Sequence, residues 1–101
     1  MYAKGEGVPR DDAEAVKWFR KAAKQGHARA QYNLGLMYAD DEGVPQDDAE
    51  AYAWFAVAAA NGHEYAKDNL RKVKLRLNQG QLAAAQQRAT QLFEQINTKK
   101  K

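Results

Sequence analysis

The sequence predicts an all-α protein, an α/α superhelical solenoid of antiparallel helix pairs closed by a C-terminal capping helix. Three observations carry the prediction. Of the 45 apolar residues in this chain of 101, 20 are alanine, the strongest helix former and small enough to let helices approach closely. Residues 1–36 align without gaps on residues 37–72 with 21 of 36 positions identical, a period that implies stacked helix pairs. Within each period the large apolar residues recur at helical spacing. A chain of this length has room for one small domain with a single core, which excludes a multidomain enzyme.

Taken in order, residues 1–4 read as the last turn of a first helix, and Gly7-Val8-Pro9 as the turn that follows it. Asp11 and Asp12, with Glu14 in the first turn, place carboxylates at the start of a helix over 11–25, where free N–H groups and the positive dipole end favour them. Gly26 stands where a helix end needs a left-handed residue. A second helix over 28–39 carries Tyr32, Leu34, Gly35 and Tyr38. The turn Gly43-Val44-Pro45 and the cap at Asp47, Asp48 and Glu50 then repeat the punctuation. They lead into a helix over 47–61 with Ala51, Trp54, Phe55, Ala58 and Ala59, ended by Gly62. Ala66, Leu70, Val73 and Leu77 form the stripe of a fourth helix. Asn78-Gln79-Gly80-Gln81 has the form of a capping box, opening a last helix whose stripe is Leu82, Ala85, Ala89, Leu92 and Ile96. Thr98 to Lys101 hold no apolar residue and read as a frayed tail.

The period Leu34-Gly35, Tyr38, Gly43-Val44, Asp47, Ala51, Trp54-Phe55, Ala58-Ala59, Gly62 resembles the Sel1-like repeats, relatives of the tetratricopeptide repeat. The resemblance implies one repeat domain over 1–98, with a partial repeat at 1–27, a complete one at 28–63, and a divergent repeat with the capping helix at 64–98. Residues 99–101 are then a disordered lysine tail. Asp41 replaces the loop glycine seen at Gly5, and aspartate tolerates positive φ better than most residues. Arg71 stands where Gly35 stood and Lys74 where Tyr38 stood, so the close contact and the aromatic knob that seat a further repeat are gone and the array ends. At the other end the helix over 11–25 lacks its repeat partner. Its face around Ala15, Trp18, Phe19 and Ala22 is expected to stay partly uncovered, in a fragment of a longer array or a homo-oligomer that covers this edge.

The search for catalytic chemistry is mostly negative. The chain has no cysteine, hence no disulfide framework and no thiolate metal site. His27 and His63 recur at one repeat position after a helix-ending glycine, as a structural loop residue does, with no Ser or Cys nucleophile beside them. The acidic run Asp40-Asp41-Glu42 with Asp47 and Asp48 lacks the ligand spacing of a calcium loop and reads as a solvated turn and helix cap. Neither a phosphate-cradling glycine loop nor a zinc-protease motif occurs, so no cofactor and no metal are expected. Some Sel1-like proteins are cysteine-rich and associated with β-lactam binding or hydrolysis; a β-lactamase-like or other hydrolytic role is the alternative, weakened by the missing cysteines. No apolar run reaches the roughly 20 residues of a membrane span, and the first residues lack the apolar core of a signal peptide. Family members act in bacterial envelope, secretion-linked and eukaryotic quality-control settings, so the compartment stays open.

A binding surface remains. The tandem Trp18-Phe19 and Trp54-Phe55 recur where the family buries an aromatic pair, so core is the better reading, although one member of an adjacent pair must point partly away. By tetratricopeptide geometry the first helices of successive repeats line a concave groove. Its candidate lining is Arg29, Tyr32, Asn33 and Leu36, followed 36 residues on by Tyr65, Asp68, Asn69 and Lys72. Asn33 and Asn69 make a ladder of side chains that both donate and accept, suited to gripping the main chain of an extended protein segment, unless they only satisfy local backbone groups. Charge adds a second candidate: residues 1–63 carry seven basic and ten acidic side chains, residues 64–101 nine and three. Lys67, Arg71 and Lys74 share one helix face, with Lys72 and Arg76 beside them. This basic face suits an acidic partner or nucleic acid, or is a solvated end that stops the array; no interleaved aromatics support base stacking. The function expected is a non-catalytic scaffold that binds a protein or peptide in the groove.

Overall fold

The computed structural model describes residues 12–40 and 46–99. They form five helices: α1 (Asp12–Lys24), α2 (Ala28–Asp40), α3 (Asp48–Ala60), α4 (Glu64–Lys74) and α5 (Gln79–Lys99). No strand occurs among the described residues. The expected turns at 7–9 and 43–45, the Gly5/Asp41 difference and the cap at Asp11 lie outside them.

The connections between α1 and α2 and between α3 and α4 are the same device used twice. Gly26 and Gly62 take φ of +96° and +93°, which only glycine adopts without cost. The Gly26 N–H donates to Ala23 O at 3.0 Å and the His27 N–H to Ala22 O at 3.3 Å. Gly62 and His63 repeat the pattern on Ala59 and Ala58. This pairing satisfies helix-end carbonyls and reverses the chain within three residues, so neighbouring helices run antiparallel. Asp47 caps α3, its carboxylate accepting the Glu50 N–H at 3.1 Å, while its own N–H donates to Tyr38 O at 3.0 Å and fixes the loop entry. The capping box of α5 forms reciprocally: Gln81 N–H to Asn78 Oδ1 at 2.8 Å, Asn78 N–H to Gln81 Oε1 at 3.0 Å. α5 continues through Lys99, into the segment read as tail. Lysine is a good helix former and its charge suits the negative end of the helix dipole.

Close approach of α2 to α3 depends on Gly35, where a Cβ would lie 2.7 Å from the ring carbons of fully buried Phe55. One core cluster gathers Leu34, Trp54 and Val57 with Val16 and Ala23 of α1 and Leu92 and Ile96 of α5; the other gathers Tyr52 and Phe55 with Val73 and Ala85. Two of the expected stripes are thus seated. Trp54 is 2% exposed, whereas Trp18, its repeat equivalent, is 60% exposed, with Ala15, Phe19 and Ala22 half-buried beside it.

α5 packs on α3 and not along α4 as a repeat hairpin would. Arg71 explains the departure, since the α4 position that needs glycine for a close helix contact carries a long, exposed side chain instead. Arg88 of α5 forks onto Glu50 of α3 at 2.9 and 3.1 Å, while Phe93 and Glu94 line a groove with Val57 and Ala60, so the two helices advance in the same sense. Hydrogen bonding to Glu50, opposed by burial, makes Arg88 hold its proton more firmly than an ordinary arginine. A buried polar tie joins three elements: Gln31, fully buried on α2, donates from Nε2 to Ala23 O at 3.0 Å and accepts from Asn61 Nδ2 at 2.9 Å.

Candidate functional site

Residues 29, 32, 33 and 36 share one face of α2, and 65, 68, 69 and 72 one face of α4, by the i, i+3, i+4, i+7 rule. The two faces meet where the Tyr32 hydroxyl donates to Asn69 Oδ1 at 3.3 Å. Around that bond the rings form a row. Tyr32 is inclined 49° to Phe55 at a centroid distance of 5.8 Å, stacks on His63 at 4.3 Å and 17°, and His63 lies 6.0 Å from Tyr65 at 58°. The row climbs from the buried core at Phe55 to Tyr65, which is 71% exposed.

The remaining candidates divide by what already holds them. Among the described residues neither the Asn33 nor the Asn69 side chain hydrogen-bonds a backbone group. Asn33 is half-buried with no side-chain hydrogen bond among the described residues, and Asn69 has its oxygen engaged and its NH2 group uncommitted. Asp68 pairs with Arg71 one turn on. Arg29 and Lys72 are exposed, without an ion partner among the described residues. Leu36 is turned to the cluster containing Tyr52 and Phe55, so it supports the face more than it lines it.

On the basic face Lys67, Arg71 and Lys74 are all exposed, Arg71 with Asp68 as partner, and nearby Arg76 bonds Asp48 at 2.9 Å. An open apolar groove of about 330 Å³ runs between α3 and α5, lined by Ala56, Val57, Ala60, Ala89 and Phe93. Among the described residues no three His, Asp or Glu side chains gather where a metal ion would sit.

Sequence reasoning missed two features here. His63 is more than a recurrent loop residue: its ring backs Tyr32, with Nδ1 enclosed and lacking a hydrogen-bond partner. Gln31 is the second: fully buried, it ties the end of α1 at Ala23 to Asn61 at the end of α3. The available signal was its polar side chain among Ala30, Leu34 and Gly35, on the buried side of a helix. What the face offers chemically is aromatic surface, free amide donors and a phenol, which are the means of recognition by contact.

Comparison with known proteins places these features in a family. The Sel1 repeat profile matches residues 1–27 and 28–63. Among solved structures, a protective antigen present in uropathogenic Escherichia coli strains, displaying an SLR fold, superposes with a TM-score of 0.90 at 34% identity. The match covers 95% of this chain and 21% of that one, so the chain spans about a fifth of that protein's length. No curated protein matches the chain. No helix among the described residues is long and apolar enough to cross a membrane. Sel1 repeats generally serve as protein-interaction scaffolds. With the profile covering more than half of its length, the chain belongs to the Sel1 repeat family.

Proposed function

We propose that the chain is a non-catalytic binding module that takes an extended protein segment on the face shared by α2 and α4. The observation that carries this reading is the state of the asparagine ladder. Asn33 and Asn69 occupy equivalent positions on α2 and α4, both are half-buried, and both keep amide donors that no other described residue uses. Side chains that hold the array together are engaged in it, as Gln31 and Phe55 are. A repeating donor left over on the face shared by two helices suits main-chain carbonyls presented at a regular interval.

The test is capture of interacting proteins by the chain and by an Asn33→Ala, Asn69→Ala double variant shown by circular dichroism and light scattering to be equally helical and in the same oligomeric state. Loss of one defined partner in the variant supports the reading. Unchanged capture moves the site to the basic face of α4 or the open α1 face, and the reading is then abandoned.

A further inference from the structure

α1 and α3 are equivalent helices of the repeat, yet one face of each carries opposite chemistry. On α3, Ala53 and Val57 are buried in the layer that includes Leu92 and Ile96 of α5, and Ala60 lines the groove beside α5. One period back the same three positions are Lys17, Lys21 and Lys24, all exposed. Their i, i+4, i+7 spacing sets them in one row about 10 Å long. Long charged side chains in place of alanine and valine keep a helix from packing on α1 as closely as α5 packs on α3. Trp18, in contrast, keeps the residue type of Trp54 and stands beside that row 60% exposed.

Helix-end electrostatics do not account for the row. Cations offset the dipole in the last turn, where Lys21 and Lys24 lie, whereas Lys17 comes earlier and α3 ends with no basic residue in its last turn. The row forms no ion pair among the described residues, and Arg20 beside it bonds only the Tyr38 hydroxyl there, at 2.7 Å. Carboxylates that could compensate it are engaged elsewhere: Asp48 with Arg76, Glu50 with Arg88 and Asp68 with Arg71. The face therefore combines uncompensated positive charge with an indole that can be taken out of water.

We infer that this face of α1 is a second interaction surface, separate from the α2/α4 face, and that its partner is an acidic protein segment with an apolar residue among its carboxylates. The carboxylates match the row in sign, and the apolar residue covers Trp18 as an anchor. Other occupants match it less. In a second copy, the exposed carboxylates outside any ion pair or cap among the described residues are Asp40, Glu64 and Glu94, which lie on three separate helices and form no row. A nucleic acid would find cations for about four phosphates, too few to hold it at physiological salt. It would also have a single ring to stack on, with Glu14 one turn before Lys17 on the same side of the helix. An anionic bilayer needs more apolar area than one indole supplies.

The experiment selects peptides on the full chain from two display pools with random flanks, one with a fixed Glu-Glu-Leu-Glu-Glu core and one with Gln-Gln-Leu-Gln-Gln. Enrichment should come from the glutamate pool. A selected peptide should lose about tenfold or more in affinity, by fluorescence anisotropy, on Lys17→Gln with Lys21→Gln, and likewise on Trp18→Ala. It should stay within about threefold on Lys67→Gln with Lys74→Gln, the same charge change on the basic face of α4. All these side chains are exposed, so the fold is expected to survive, which circular dichroism checks directly. Dependence on the α4 pair and not the α1 pair overturns the inference, as does indifference to Trp18→Ala. Equal enrichment of the two pools, or enrichment of neither, also overturns it and leaves the lysines a solvated face. An oligothymidine strand or a phosphatidylserine vesicle that binds more tightly than the selected peptide at physiological salt, with the same lysine dependence, overturns the choice of partner. So does self-association in light scattering that the Lys17, Lys21 variant abolishes.

Discussion

Gly35 and Phe55 are matched across the α2/α3 contact so tightly that a single methyl group on Gly35 would come within 2.7 Å of the Phe55 ring. Phe55 is fully buried and cannot swing aside. Gly35→Ala gains about 1 kcal/mol of helix propensity, but overpacking costs about 1–3 kcal/mol and wins. Thermal unfolding should fall by several degrees, and Gly35→Ala with Phe55→Leu should recover part of the loss. Gly80→Ala is the contrasting case. There a methyl meets only Asn78 Oδ1 at 3.6 Å, so the substitution should stabilise by about 0.5–1 kcal/mol. Destabilisation of equal size at both positions would refute the contact argument.

The two tryptophans occupy one repeat position and should respond differently. Trp54→Ala opens a cavity in the layer shared with Leu92 and Ile96 and should cost about 3–5 kcal/mol in urea unfolding. Trp18→Ala, at a side chain that is mostly in solvent, should cost about 1 kcal/mol or less. Trp54→Phe should cost far less than Trp54→Ala, because the indole N–H is enclosed without an acceptor and its removal relieves that penalty.

Gln31 joins the end of α1 to the end of α3, and Gln31→Leu leaves the Ala23 carbonyl and the Asn61 amide without it, a loss of about 2–3 kcal/mol. Gln31→Glu is the sharper probe. The new carboxyl is isosteric and, when protonated, reproduces both bonds. When ionised, it sets an anion against the Ala23 carbonyl in a buried site. Its folded pKa is therefore raised above the unfolded one, near 4.3, and the native state binds more protons. The variant should approach wild-type stability at pH 4 and fall progressively behind as pH rises to 8. A pH-independent difference in melting temperature would count against this geometry.

Glu50 and Arg88 form the forked pair that anchors α5 to α3. Hydrogen bonds to charged groups contribute about 1.5–3 kcal/mol when shielded. With the Arg88 side chain 40% exposed, about 1 kcal/mol is the expected coupling in a double-mutant cycle of Glu50→Gln and Arg88→Gln. Arg88→Lys should keep less than half of it, because a lysine contributes a point charge and not a fork. Coupling indistinguishable from zero would show that apolar packing alone holds α5.

Much of this architecture was legible because it is written in adjacent residues. The left-handed glycines 26 and 62, the cap at Asp47 and the reciprocal box at Asn78 and Gln81 depend on groups within a few positions of one another, and each formed as its residue types require. The substitution of Arg71 and Lys74 for Gly35 and Tyr38 also said where pairing stops. What the sequence did not say is where α5 goes instead. Its stripe of Leu82, Ala85, Ala89, Leu92 and Ile96 states that one side is buried but not against which helix, and the answer lies in Glu50, 38 positions from Arg88. Of the candidate face, the positions and the asparagine ladder were readable from periodicity. The His63 stack was not, since it depends on Tyr32, 31 residues earlier and present in one period only.

The diversion of α5 also changes how the described helices are connected. Lys24 at the end of α1 lines a small cavity with Leu92, Gln95 and Ile96, and Val16 and Ala23 share a buried cluster with the same helix. An open repeat array is a line in which each unit touches only its neighbours and can fray from either end. Here the last helix reaches back to the first described one, and the line becomes a loop. Neither α1 nor α5 can then peel away without loosening the buried cluster that holds the other, so the described helices are expected to unfold together and not to fray one at a time.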